Sequence, residues 1–352
     1  MPTTVTDAIS LAFEHTKGQL FQPFRFSQWM RLAAVGLLAG EMSSGGCNFS
    51  RSLRQGSSRV PNIDPAILGA VIAVAILSGI VFAIVVMYIS SVMRFILFDG
   101  VLTKECHIRA GWMRRQTAGL KYFFWQIGFA IVTLIVMAIL IGIPVGIAFS
   151  LGWIQHNSEH TLALVLGGII LFFVVLAVAI AAAVIQVFTK DFVVPQMALE
   201  GIGAVEGWRR LWPMIEAELG GYAAYIGMKI VLAIVAGIAL FIVSLFVGLM
   251  VAIPTIGLAI IAIFTGKTAG LTWNAYTITV AVVVGLILLA AFLYLMALIA
   301  VPVIVFFPAY SIYFFAGRYR ALNQILFPAP AASLTPGLPA NQPPPWTPAP
   351  TA

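Results

Sequence analysis

Apolar residues come in long unbroken runs along this chain, and the polar residues bunch between those runs. A helix that crosses a bilayer needs about 20 consecutive apolar residues. Five stretches meet that length, over residues 67–92, 122–151, 162–188, 221–253 and 277–305. A sixth, residues 27–46, is weaker. Its apolar part, from Trp29 to Gly40, contains Arg31 and is followed by Glu41, and the small residues from Ser43 to Cys47 would have to complete a crossing or a re-entrant loop. Pro254 divides the fourth long run, so residues 255–264 are expected either to continue that helix or to form a short hairpin. The pattern predicts an all-α, polytopic integral membrane protein with about six transmembrane helices.

Three regions follow from the same pattern: a cytoplasmic amphipathic segment over residues 1–26, a helical transmembrane domain over 27–327, and a tail over 328–352. The tail has nine prolines and no charge, a composition that buries no core and favours extended, disordered conformations. Residues 1–22 carry Asp7 and Glu14 among their apolar positions and lack a basic start before an apolar core, so no cleavable signal peptide is expected there.

Composition removes the soluble alternative. The chain is 61% hydrophobic and 9% charged with a mean hydropathy of +1.05, against about a quarter charged for a soluble domain. From Thr268 to Gly317 there is no Asp, Glu, Lys or Arg, and only lipid or protein can solvate such a stretch. With six crossings, fourteen Lys and Arg residues fall on one side and four on the other, with Lys229 inside a span. The positive-inside rule then puts both termini in the cytoplasm. That rule also accounts for the net charge of +7, and no basic stripe with interleaved aromatics points to nucleic acid. Cys47 and Cys106 fall on opposite faces in this topology and cannot pair.

At an offset of 96 residues, residues 67–151 overlay residues 163–247, each reading span, cytoplasmic Gly-Trp segment, span. Gly111, Trp112 and Arg114 match Gly207, Trp208 and Arg210. Units that run in the same direction are expected to form a parallel internal repeat.

These cytoplasmic segments hold the candidate lipid-interface residues: Arg94, Arg109, Trp112, Arg114 and Arg115 in the first, Trp208, Arg209 and Arg210 in the second. Basic side chains meet anionic headgroups and an aromatic ring anchors in the boundary layer. Plain topology signalling explains the same charges without a ligand. Lys229 is the candidate intramembrane polar residue, about eight residues or roughly 12 Å into its span, a depth from which its stem is expected to snorkel back to the cytoplasmic face. Gln126 is expected to hydrogen-bond between helices, and Glu216 and Glu218 to be solvated.

No catalytic constellation emerges, and no metal or cofactor is expected. His156 to His160 spells HxxEH, the signature of inverted zinc proteases, but that chemistry needs both histidines on one stable helical face and a third ligand. Here the motif falls in a short loop between spans, and it reads as fortuitous. Gly201, Gly203 and Gly207 do not match the dinucleotide spacing and read as a bend.

The segments FQPFRFSQWMRLAAVGLLAG, RFILFDGVLTKECHIRAGWMRR and DFVVPQMALEGIGAVEGWRRL together resemble a broad family of uncharacterised bacterial membrane proteins. They are similar to the membrane region that accompanies some glycerophosphodiester phosphodiesterases. The resemblance implies a multi-span bacterial membrane protein without that family's catalytic barrel, so it transfers no catalytic residue. The matching positions, Pro23, Phe24, Trp29, Arg94, Trp112, Asp191, Pro195 and Trp208, are implied to be structural or interfacial. The expected role is non-catalytic interaction with membrane lipids or a partner membrane protein, and the alternative is a small-solute transporter.

Overall fold

The structure is a computed structural model in which residues 4–41, 65–153, 157–268 and 274–328 are described. Among the described residues the chain is helical throughout: α1 (Val5–Phe21), α2 (Phe26–Leu38), α3 (Pro65–Leu102), α4 (Ile108–Ser150), α5 (Asn157–Phe188), a π-helical turn (Thr189–Val193), α6 (Val194–Glu200), α7 (Ala204–Ala217), α8 (Leu219–Thr268), α9 (Ala275–Ala316) and α10 (Arg320–Leu326). The tail beyond Pro328 and the loop carrying Cys47, Arg51, Arg54 and Arg59 lie outside the described residues.

Local chemistry sets several of the helix boundaries. Thr4 and Asp7 cap α1 reciprocally, and Asn274 and Thr277 do the same for α9, each pair satisfying backbone N–H groups that the first turn leaves unpaired. Gly201 ends α6 at a φ of 69°, a left-handed conformation that glycine adopts without the penalty a Cβ imposes.

Among the described residues, five helices are long and apolar enough to cross a membrane: Ile76–Leu102, Ile108–Ser150, Thr161–Glu200, Leu219–Leu258 and Tyr276–Ala316. Each of the five long apolar runs of the sequence overlaps one of them. The weak segment is not among them. Its helix α2 has 13 residues, about 20 Å at 1.5 Å per residue, short of a hydrocarbon core of about 30 Å. Arg31 on it donates to the Cys106 carbonyl at 3.3 Å. Residues 255–264 run on without a break as part of α8, with Pro254 held inside the helix.

The long helices are exposed along their shafts and packed at one end. Phe82, Leu134, Phe172, Phe246 and Leu286 are each at least 60% exposed, an apolar surface suited to lipid or to another protein. The buried residues gather where α1, α2, the C-terminal parts of α3 and α9, the π turn, α6, α7 and the starts of α4 and α8 meet. Phe192 sits at the centre, with ring centroids 5.3 Å from Tyr222, 5.1 Å from Tyr225 and 5.2 Å from Phe315. Pairs in this geometry add about 0.5–1.5 kcal/mol each beyond burial.

Small residues let the helices close up. A Cβ on Gly119 would lie 2.6 Å from the Val92 side chain, and one on Gly36 would lie 2.5 Å from Ile304. His15 joins three elements: one ring nitrogen lies 3.0 Å from the Tyr313 hydroxyl and the other 2.9 Å from the Val101 carbonyl. That contact places α1 beside the C-terminal ends of both α3 and α9, so α1 and α10 occupy the same end of the bundle.

Candidate functional site

The chemistry-bearing side chains converge where the π turn faces α8. A π turn widens the helix and is frequent at functional positions. Here it directs two consecutive residues to different neighbours: Lys190 donates to Glu41, just past α2, while Asp191 accepts from Lys229 on α8. Asp191 also accepts from the Tyr225 hydroxyl at 2.9 Å, one turn before Lys229. Its side chain is 4% exposed and that of Lys229 is 17%. Arg94, on α3, donates to the Tyr122 hydroxyl at 2.7 Å and to the Ala39 carbonyl at 3.0 Å.

These five charged residues line one end of a cavity of about 500 Å³. Apart from Ser244 and Ser311 the rest of its wall is apolar and comes mostly from α8 and α9, including Ala233, Gly237, Phe241, Ala300, Val303 and Phe307. A polar end that opens into an apolar groove suits an amphiphile: the charged end holds a headgroup, and the groove between α8 and α9 holds hydrocarbon.

Other residues singled out in the sequence serve the fold. Arg115 and Arg114 both donate to Asp99, Arg115 through two bonds of 2.7 Å and Arg114 through one of 2.8 Å. Arg115 also donates to the Ala198 carbonyl, which ties α4 to α6. Trp112 packs edge-on against Tyr88 with centroids 6.0 Å apart, and Trp208 donates to Thr189 at 3.0 Å. Arg209 pairs with Glu206, and Arg210 with Glu206 and Glu200. Arg109 is exposed in the first turn of α4. Most of the charges read as lipid-facing are thus engaged by carboxylates of the same chain.

Four further expectations are met or changed by the packing. Lys229 does not snorkel to the surface; Asp191 holds it. Glu218, read as solvated, accepts both ends of the Arg318 guanidinium at 2.6 and 2.8 Å, whereas Glu216 accepts from the exposed Trp212 at 2.6 Å. Gln126 does bond between helices, accepting from Ser91 at 2.7 Å. His156 lies outside the described residues, but residues 157–160 open α5 instead of sitting in a loop. No Gly or Pro before Gly167 stops the helix from extending back over them.

Sequence reasoning missed Lys190 and Glu41 as site residues and read Asp191 as structural or interfacial. The available signal was position: Lys190 and Asp191 follow one long apolar run, and Lys229 lies near the start of the run that returns from the same side.

A family model, described as a family of unknown function (DUF7544), matches residues 3–325. The chain belongs to that family. No curated protein and no solved structure matches it.

Proposed function

We propose that this is a non-catalytic integral membrane protein that interacts with membrane lipid. The lipid's polar group sits on the charged end of the cavity and its chains lie between α8 and α9. The observation that carries the reading is the cavity itself, charged at one end and apolar along its flank. It shifts the expected contact from the cytoplasmic surface residues to Arg94, Lys190 and Lys229.

The topology that goes with this reading is six crossings of a bacterial cytoplasmic membrane with both termini inside. Five long helices alone would leave α1 and α10 at opposite ends, whereas the His15 contacts put them together, which supports an even number of crossings. The arrangement of Gly111 and Gly207 supports a parallel repeat: a Cβ on the first would press on Ile96 and one on the second on Val193, each from the helix preceding its Gly-Trp segment. In the second unit the amphipathic helix α7 is separated from its span, and its exposed Val205 and Trp212 suit the headgroup layer.

Native mass spectrometry of the purified protein tests the lipid reading. Gly237 lines the groove and a Cβ there meets nothing within 4 Å, so Gly237→Leu extends into the groove from an unobstructed position. Retained lipid should fall in Gly237→Leu and stay unchanged in Gly167→Leu, which lies on α5, a helix that does not line the cavity. Equal retention in both variants would remove the lipid reading.

The second reading, a small-solute transporter, is favoured by the Asp191–Lys229 pair inside a cavity, since ionisable groups in membrane helices often mark a solute path. Solute flux in proteoliposomes that Lys229→Ala abolishes at equal protein density would promote it.

A further inference from the structure

We infer that the lipid held in this cavity is anionic, with a monoanionic phosphodiester headgroup. This inference rests on the lipid reading above. Its argument is the charge count at the polar end. Arg94, Lys190 and Lys229 supply three positive charges, and Glu41 and Asp191 supply two negative ones.

The pairing is uneven. Lys190 has Glu41 and Lys229 has Asp191. The hydrogen-bond acceptors of Arg94 are both neutral, a phenol and a backbone carbonyl. The two carboxylates act on it only through space, while each is bonded to its own lysine. Arg94 also keeps a buried donor, Nε, without a partner. A guanidinium in a poorly solvated place with no carboxylate bonded to it is costly. A single negative charge delivered by a ligand brings the five-residue cluster to neutrality. A phosphodiester suits that role because arginine binds phosphate oxygens through charge-assisted bonds.

The remaining groups narrow the headgroup. Glu41 keeps a buried acceptor, Oε1, without a partner, so a headgroup that also carries a donor suits the site better than a bare phosphate. Ser311, also on the wall, spends its hydroxyl proton on the Pro308 carbonyl at 2.9 Å. The apolar flank gives hydrocarbon chains a place that free phosphate or a soluble phosphate ester leaves empty. A zwitterionic headgroup brings no net charge and leaves the excess on Arg94 uncompensated.

The test uses the full chain in a neutral detergent, titrated with dioctanoyl phosphatidylglycerol, dioctanoyl phosphatidylcholine, glycerol 3-phosphate or inorganic phosphate and read by native mass spectrometry. The expected result is phosphatidylglycerol binding at least tenfold tighter than phosphatidylcholine, with glycerol 3-phosphate and phosphate failing to compete. Arg94→Gln should abolish the preference. Because that variant removes bonds that hold α3 in place, Glu41→Gln, which keeps the shape of a side chain paired with Lys190, serves as the second: it raises the local charge by one and should tighten phosphatidylglycerol about fivefold, the effect of one basic charge near an anionic headgroup. Equal binding of the two lipids, weakened by Gly237→Leu but indifferent to Glu41→Gln, would overturn the headgroup assignment and leave the lipid reading standing. Competition by inorganic phosphate as strong as that by phosphatidylglycerol would make this a soluble-anion site and overturn the lipid source. Binding of neither lipid would remove both readings together.

Discussion

Lys229 of α8 donates to Asp191 of the π turn, 38 residues earlier in the chain, and the pair is almost closed to solvent. Removing one partner of a buried pair is far more costly than removing both, because the survivor is left as an uncompensated charge. Lys229→Met should destabilise the protein by about 3–5 kcal/mol. The double variant Lys229→Met with Asp191→Leu should recover most of that loss. Thermal unfolding in detergent, followed by tryptophan fluorescence, would show a large drop in Tm for the single variant and a small one for the double.

Asp99 separates the two arginines that pair with it. The Arg115 side chain is 16% exposed and holds Asp99 through two bonds, whereas that of Arg114 is 64% exposed and contributes one. Arg115→Ala should therefore cost about 3 kcal/mol, and Arg114→Ala less than about 1 kcal/mol. The same ion pairs predict that binding to anionic vesicles changes little when Arg114 is replaced by Ala, which a flotation assay would check.

Close approach at Gly119 makes a matched test of helix packing. A Cβ there would meet Val92 at 2.6 Å, its backbone at 3.0 Å, while one at Gly128 on the same helix meets nothing within 4 Å. Gly119→Ala should cost about 1–3 kcal/mol by forcing α3 and α4 apart. Gly128→Ala should be neutral or stabilise by up to about 1 kcal/mol, since alanine loses less backbone entropy in a helix. Chemical denaturation of the two variants side by side reads the contrast.

His15 predicts a pH dependence for the docking of α1. Burial, followed by the charge of Lys104, holds its pKa below the ordinary 6.5. The folded form thus binds the proton less readily than the unfolded one. Its contribution to stability is complete above about pH 6.5 and declines as the pH falls below that value. The protection of α1 against hydrogen exchange, corrected for the intrinsic rate at each pH, should fall between pH 7 and pH 5, and His15→Gln should flatten that change.

Buried Cys106 should resist alkylation. Burial pushes its thiol up to about 11, with Arg31 opposing weakly, so at pH 7.5 almost none is thiolate, the form that reacts. A maleimide should label it only after unfolding.

The spans were legible because crossing a bilayer imposes a length and a polarity that composition reveals residue by residue. The sequence reading also singled out Lys229 and Arg94, since charges beside apolar runs stand out. It could not find their surroundings: Asp191 reaches Lys229 across 38 residues through the packing of the π turn on α8, and Glu41 reaches Lys190 across 149 residues. The same limit hid the carboxylate that Arg114 and Arg115 share, Asp99, which lies on the neighbouring helix. The Trp29 to Gly40 segment showed its short length correctly, but its burial against Ile304 and its bond from Trp29 to the Leu298 carbonyl at 2.9 Å depend on tertiary packing.

The central claim is that lipid occupies the groove between α8 and α9 with its headgroup at Arg94, Lys190 and Lys229. Photocrosslinking in proteoliposomes with a phospholipid carrying a diazirine in its acyl chain, followed by peptide mapping, tests it most directly. The account predicts adducts concentrated on the groove wall, at Ala233 to Phe241 and Met296 to Phe307, and lost in Gly237→Leu. Adducts spread evenly over exposed shaft residues such as Phe82, Leu134 and Phe172, with none enriched in the groove and no effect of Gly237→Leu, would contradict it.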